Sequence, residues 1–183
     1  MTEDAAYRAT VLGEAYAGID LLPVTILLDN VRSLYNVGAF FRTADAVRAR
    51  SIVLAGITPT PEDSRIAKTA LGAERSVAWS KAAGPGAALD ALRSGGFEIA
   101  AVETTLHAVD LFDWRPRFPV CVMFGHEVEG IGAPLLERCD VHVRIPTLGT
   151  KGSINVATAG GVVLYELLRK YRNLVRGHPQ AYG

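Results

Sequence analysis

Apolar and polar positions alternate in blocks along the chain. Short apolar runs recur at about 24–28 (VTILL), 51–55 (SIVLA), 76–79 (SVAW), 98–102 (EIAAV), 120–124 (VCVMF) and 141–145 (VHVRI). Several are continuous, with no inside–outside alternation, the pattern of strands covered on both faces of a sheet. The intervening stretches predict helices at about 37–48, 62–71, 85–94, 133–138 and 154–172. A further helix is expected at 3–18, ahead of the first strand, and the tail after Gly177 is expected to fray. Strand and helix in turn predict an α/β fold, a mostly parallel sheet with helices on both faces.

Composition narrows this picture. The 183 residues suffice for one domain with a real core, and no repeat, low-complexity linker or composition break divides them. With 49% hydrophobic and 21% charged residues, the chain has a globular rather than a disordered composition. Its formal net charge is zero, which argues against a histone-like or tail-driven nucleic-acid binder but leaves room for a local basic patch. Cys121 and Cys139 lack metal-ligand spacing and cannot make a disulfide framework. The acidic start MTEDAAYRAT is unlike a signal peptide, and no apolar run approaches the ~20 residues of a membrane span. A reduced, cytoplasmic setting without membrane is expected.

Ligands of parallel α/β sheets bind beyond the carboxyl ends of the strands. Three polar clusters fall there: LLDNVRSLYNVGAFFRTADAV, FGHEVEGIG and IPTLGTKGSINVA. In the first, Asn36 sits where a helix N-cap belongs, while Phe40, Phe41, Ala44 and Val47 can pack inward and Arg42 points away. A plain cap and a solvated arginine would account for that pair. A helix N-terminus with a guanidinium also makes a phosphate seat. In the second, Gly125 would let a ligand approach the backbone. His126-Glu127 is no zinc-protease motif, because Gly130 stands where the second histidine belongs, and glycines 125, 130 and 132 miss the dinucleotide spacing. In the third, the order GxxxxGK[ST] is absent, so nucleotide hydrolysis has no support. Ser153 is the expected N-cap of the last helix, whose residues 156–168 read as a buried core helix. Gly160-Gly161 costs roughly 1 kcal/mol of helix propensity per glycine. That cost makes sense if another backbone passes close. Asn155, polar at the mouth of an apolar helix, needs partners if buried.

In this order the clusters resemble the three motifs of the SpoU/TrmH class of SPOUT RNA methyltransferases. N-x-R-x-x-x-N-x-G-x-x-x-R-T-A, Asn30 to Ala44, resembles the first; FGHEVEG, Phe124 to Gly130, the second; IPTLGTKGSINVATA, Ile145 to Ala159, the third. The likeness spans about residues 24–170. It implies a deep trefoil knot in the C-terminal part, with a knotted cofactor region at about 98–172. Many members of that class carry an added RNA-binding domain; no separate RNA-binding domain is expected in these residues. It implies S-adenosylmethionine as cofactor, held at Thr104, Leu106, Gly125, Ile145, Leu148 and Ile154, with no metal. It implies a homodimer formed through the first and last helices. The implied reaction is methyl transfer to a ribose 2′-hydroxyl of RNA, with Arg42 as key catalytic residue and Asn36, Glu127, Ser153 and Asn155 in support. Arginine deprotonates with difficulty, so Arg42 is expected to clamp an RNA phosphate and polarise the hydroxyl. Thr147, Ile154 and Ala157 depart from the usual residues of the third motif; the supporting Ser153 and Asn155 are kept.

The basic residues Arg32, Arg42, Arg65 and Lys68 could track RNA phosphates. A compact substrate such as tRNA is favoured, with rRNA also open. The main alternative is a catalytically inactive dimeric RNA-binding protein of the same fold. Base methylation on that fold, and an unrelated nucleotide-binding enzyme, lack their own motifs here.

Overall fold

A computed structural model describes residues 19–177; the helix expected at 3–18 and the tail after Gly177 lie outside the described residues. Seven strands form one sheet: β1 (Leu22–Asp29), β2 (Ala49–Ala55), β3 (Trp79–Ala82), β4 (Glu98–Val102), β5 (Val109–Asp110), β6 (Val120–Phe124) and β7 (Val141–Arg144). Across the sheet they run β3-β2-β1-β6-β4-β7-β5, and every pairing is parallel. The helices are α1 (Leu34–Ala46), α2 (Ser64–Ala70), α3 (Ala73–Ser76), α4 (Pro85–Ser94), α5 (Ala133–Leu136) and α6 (Val156–Val175).

Strand alternation explains why the apolar runs are continuous. Leu22, Val24, Ile26 and Leu28 of β1, with Val120, Val122 and Phe124 of β6, face a core closed by α1, α2 and α6. Leu27, Cys121 and Met123 point the other way, into a second core closed by Ala88 and Leu89 of α4. Both faces of the central strands are therefore dry, which favours apolar runs; the buried Thr25 of β1 fits because its hydroxyl pairs with that of Ser51 at 3.0 Å.

Two elements differ from the sequence reading. The strand expected at 76–79 begins only at Trp79, because Ala73–Ser76 close one helical turn and Val77 N–H donates to the Ala73 carbonyl. The two-residue β5, paired to β7 at the sheet edge, is too short to carry a period.

The last helix is not buried throughout 156–168. It lies on one side of the sheet and buries a stripe of Ala159, Gly160, Val163, Leu164 and Leu167. Val162 and Tyr165, on the other side, stay 37% and 54% exposed. A helix with only one packing partner can cover only one face. Gly160 is tight, but against a ring rather than a backbone: a Cβ there would sit 2.2 Å from Cε1 of Phe40, while nothing lies within 4 Å of one at Gly161. Phe40 in turn packs on Phe124, with ring centroids 5.0 Å apart. Near its C-terminus α6 carries Lys170, whose fully buried ammonium donates to the carbonyls of Leu111 (2.7 Å), Phe112 (3.3 Å) and Trp114. Glu166 Oε1 stands 3.5 Å away. Burial pulls the Lys170 pKa below its ordinary value, partly offset by Glu166. This lysine fastens the loop between β5 and β6 onto α6.

Candidate functional site

The carboxyl ends of β6, β4 and β7 lie side by side, and the loops leaving them enclose a cavity of about 670 Å³ with the start of α6. Its walls include Glu103 and Thr104 after β4, Gly125 to Ile131 after β6, and Ile145, Thr147 and Gly152 to Val156 after β7. All three polar clusters of the sequence meet at or beside this mouth.

The first contributes Asn36, and the structure corrects its expected role. Ser33, not Asn36, caps α1, its Oγ accepting the Asn36 backbone N–H at 3.3 Å. Asn36 sits three residues into the helix, and its amide is left to bridge. Nδ2 donates to Glu127 Oε1 at 3.1 Å, and Oδ1 accepts from Asn155 Nδ2 at 3.2 Å. Asn30, the first residue of the motif, is structural: it takes a positive φ of 58° and its Oδ1 accepts the Ile57 N–H at 3.0 Å.

The second supplies Glu127 from a tight hairpin. His126 and Gly130 exchange backbone hydrogen bonds of 3.1 and 2.9 Å. His126 Nδ1 accepts the N–H groups of Val128 and Glu129, both at 3.2 Å. Gly125 is closed to any side chain by its own hairpin, since a Cβ would lie 2.4 Å from the Gly130 carbonyl. The Glu127 carboxylate reaches the start of α1, where it accepts the backbone N–H of Ser33 (3.0 Å) and Arg32 (3.1 Å) besides the Asn36 amide. Partial burial pushes its pKa up, but these three donors together with its own backbone N–H outweigh it and hold the carboxyl below its ordinary value.

The third supplies Asn155, which replaces Ser153 as the cap of α6. Its Oδ1 accepts from Ala157 N (2.9 Å) and Thr158 N (3.2 Å), because residues 153 and 154 stay outside the helix. The polar residue at the mouth of the apolar helix is thus exposed, with both its amide oxygen and its amide nitrogen hydrogen-bonded. Ser153 lies on the cavity wall with its side chain in solvent.

The other expected residues divide. Thr104, Gly125, Ile145 and Ile154 line the cavity, while Leu106 and Leu148, 96% and 100% exposed, do not. Arg42 is exposed on α1, outside the cavity wall, and makes no hydrogen bond or ion pair among the described residues. Arg32 and Lys68 are exposed as well. Arg65 is committed to Asp63, with Nη2–Oδ2 at 2.6 Å, and that guanidinium holds the Asp63 carboxyl down at about 2.

Sequence reasoning missed three groups around the cavity. Glu103, just past β4, accepts from Thr104 N and Ile131 N. His142 takes Thr105 Oγ1 at Nδ1 (2.9 Å) and the Leu136 carbonyl at Nε2 (3.0 Å). Because a carbonyl can only accept, Nε2 carries the proton, and the ring ties together Thr105 and Leu136, both on the cavity wall. His126, which lies in the second motif with no expected role there, shapes the Glu127 hairpin. Glu103 and His142 are each defined by one partner distant in the chain, Ile131 and Thr105, whereas His126 acts within its own turn, a role that no motif weighed along the sequence describes.

Parallel strands, a cavity at their carboxyl edge and three loops knitted by side-chain hydrogen bonds define an α/β protein with a candidate ligand site. Comparison with known proteins gives its family. The SpoU rRNA Methylase family matches residues 23–165, and the chain belongs to it. A 23S rRNA (uridine(2479)-2′-O)-methyltransferase of Streptomyces viridochromogenes is 30% identical over 161 residues, 83% of this chain and 56% of that relative. An uncharacterized tRNA/rRNA methyltransferase of Synechocystis sp. is 33% identical, covering 81% of this chain and 38% of that protein. The AdoMet-bound rRNA methyltransferase from Sinorhizobium meliloti superposes with a TM-score of 0.75 at 28% identity, over 80% of this chain and 56% of that one. The chain thus spans between about two fifths and three fifths of the length of these relatives.

Proposed function

We propose that this chain is an S-adenosylmethionine-dependent RNA methyltransferase acting on a ribose 2′-hydroxyl of tRNA or rRNA. The observation that carries the reading is the chain of hydrogen bonds Glu127–Asn36–Asn155, which joins the three motif loops at the cavity mouth. Relatives that bind AdoMet and methylate ribose hydroxyls agree with it.

The cavity fits such a cofactor. Its volume falls in the range of small-molecule sites, and Val102, Phe124, Ile131, Val143 and Ile145 offer an apolar wall for a base. Loop backbone and carboxylates at the rim suit a ribose and an amino-acid tail. When bound, the cofactor supplies a methyl group activated by its sulfonium charge. The protein's own task is alignment and care of the hydroxyl proton. Glu127, with its carboxylate engaged by three donors, serves as a positioning group. Asn155 and Asn36 hold the loops in register, and Ser153 faces the reacting end. Arg42, exposed and uncommitted, is placed for an RNA phosphate, with Arg32 and Lys68 as further contacts and Arg65 available only once Asp63 gives way.

The finer architecture follows the same reading. Placement of β4 between β6 and β7, together with the clasp of Lys170 on the 111–114 loop, supports a knotted C-terminal region at about 98–172. The exposed apolar residues Val162 and Tyr165 of α6 support pairing of two chains. Two free cysteines fit the cytoplasm, and no helix among the described residues is long and apolar enough to cross a membrane.

The test begins with calorimetric titration by S-adenosylhomocysteine, with micromolar binding (about −8 kcal/mol) expected near one per chain. Methyl-labelled cofactor is then offered with total tRNA and with rRNA, and the product is digested to nucleosides. Label in a 2′-O-methylnucleoside is expected. Label on a base would replace the reaction, and binding of cofactor and RNA without transfer would make this a binding protein.

A further inference from the structure

Glu103 is the one carboxylate on the cavity wall that is fastened to the sheet edge itself. Its backbone N–H donates to the Val143 carbonyl at 3.0 Å, which prolongs the β4–β7 ladder by one residue. Its side chain turns back along the wall: Oε1 accepts Thr104 N–H at 2.9 Å and Oε2 accepts Ile131 N–H at 3.1 Å. The hairpin makes room for it. Gly130 has a φ of +67°, and a Cβ there would lie 2.4 Å from Oε2, so the carboxylate occupies the place a side chain would take.

Two features point beyond a scaffold role. An ionised carboxylate has about two acceptor sites on each oxygen, and the backbone fills only one on each. One acceptor per oxygen therefore stays open in a group that cannot rotate and that lines the cavity. Two acceptors held side by side match two neighbouring hydroxyl donors, which is how an acidic residue past a parallel strand takes a ribose in dinucleotide-binding folds. The other wall carboxylate with a defined set of partners, Glu127, is spent on the start of α1.

We infer that Glu103 recognises the ribose diol of the adenosyl ligand, an assignment that rests on the cofactor reading above. Glu103 then sets the ribose, and the fixed ladder behind it keeps the adenosyl group in register with the three loops.

The test is a two-by-two titration read by calorimetry. Wild type and Glu103→Gln are each titrated with 5′-methylthioadenosine and with its 2′,3′-dideoxy counterpart; S-adenosylhomocysteine is added as a third ligand. Wild type is expected to prefer the diol by about thirtyfold or more, the size of a hydrogen-bond set to a charged group. The variant is expected to prefer it by less than about threefold. Because the ratio is taken within each protein, a general loosening of the hairpin cancels. Glu103→Ala, read by the same ratio, serves if the glutamine variant fails to fold. An unchanged preference in the variant overturns the assignment, as does no preference in wild type. A loss confined to S-adenosylhomocysteine would give Glu103 to the ligand's ammonium group instead and overturn the diol. If wild type binds none of the three ligands, the cofactor reading falls together with it.

Discussion

Replacing Gly160 with alanine should destabilise the protein, although the same change in an open helix would help it. Alanine gains about 1 kcal/mol over glycine in a helix interior. At position 160 the new methyl would stand 2.2 Å from a Phe40 ring carbon, far inside contact distance. Phe40 cannot swing away easily, since it is 1% exposed and packed on Phe124. Overpacking of this severity costs about 3 kcal/mol, at the upper end of the usual range. The net expectation is a loss of about 2 kcal/mol, or a melting temperature lower by about 4–8 °C for a chain of this size. Gly161→Ala is the internal control. With no atom within 4 Å of its added carbon, it should gain about 0.5–1 kcal/mol. Thermal and denaturant unfolding of both variants reads the difference directly. A Gly160→Ala protein at or above wild-type stability would refute the claim that this glycine sets the approach of α6 to α1.

Glu127→Gln should cost about 1 kcal/mol at pH 7, the worth of a charged acceptor at a helix start. The folded carboxyl titrates below its unfolded value, so its contribution is complete above the ordinary carboxylate range and is lost as pH falls through the folded value. Denaturation at pH 7 and pH 3 should show the gap between variant and wild type closing in acid; a constant gap would remove the charge from the explanation. On the proposed reaction, Arg42→Lys should lower kcat/KM about a hundredfold by losing the bidentate fork, with S-adenosylhomocysteine affinity unchanged; full turnover would end the clamp idea. Lys170→Met should lose about 3 kcal/mol in denaturant titration, because three loop carbonyls lose their buried donor; retained stability would mean the loop is held by other contacts.

Sheet class, the positions of most strands and the neighbourhood of the site were legible along the chain; the start of β3 and the two-residue β5 were not. β4 and β6 begin and end where the sequence places them, because their middle residues are buried on both faces and form continuous apolar runs. Asn36, Glu127 and Asn155 were legible as polar residues at strand ends, and the structure joins them. What each does was not legible. Capping depends on where a helix takes its first turn, which moved the caps to Ser33 and Asn155 and freed Asn36 to bridge. The order of strands, the ring that Gly160 meets and the carbonyls that Lys170 holds lie between 56 and 120 residues away in sequence or on other elements. Glu103 shows the limit most plainly. In sequence it is one acidic residue after a strand, and only the packing of a distant hairpin against it turns that residue into a fixed pair of acceptors at a cavity wall. Local pattern settles which segments are dry, since burial is a property of residue type and period. Which polar groups meet is settled by tertiary packing alone, because a hydrogen bond requires two partners and the chain's order names only one.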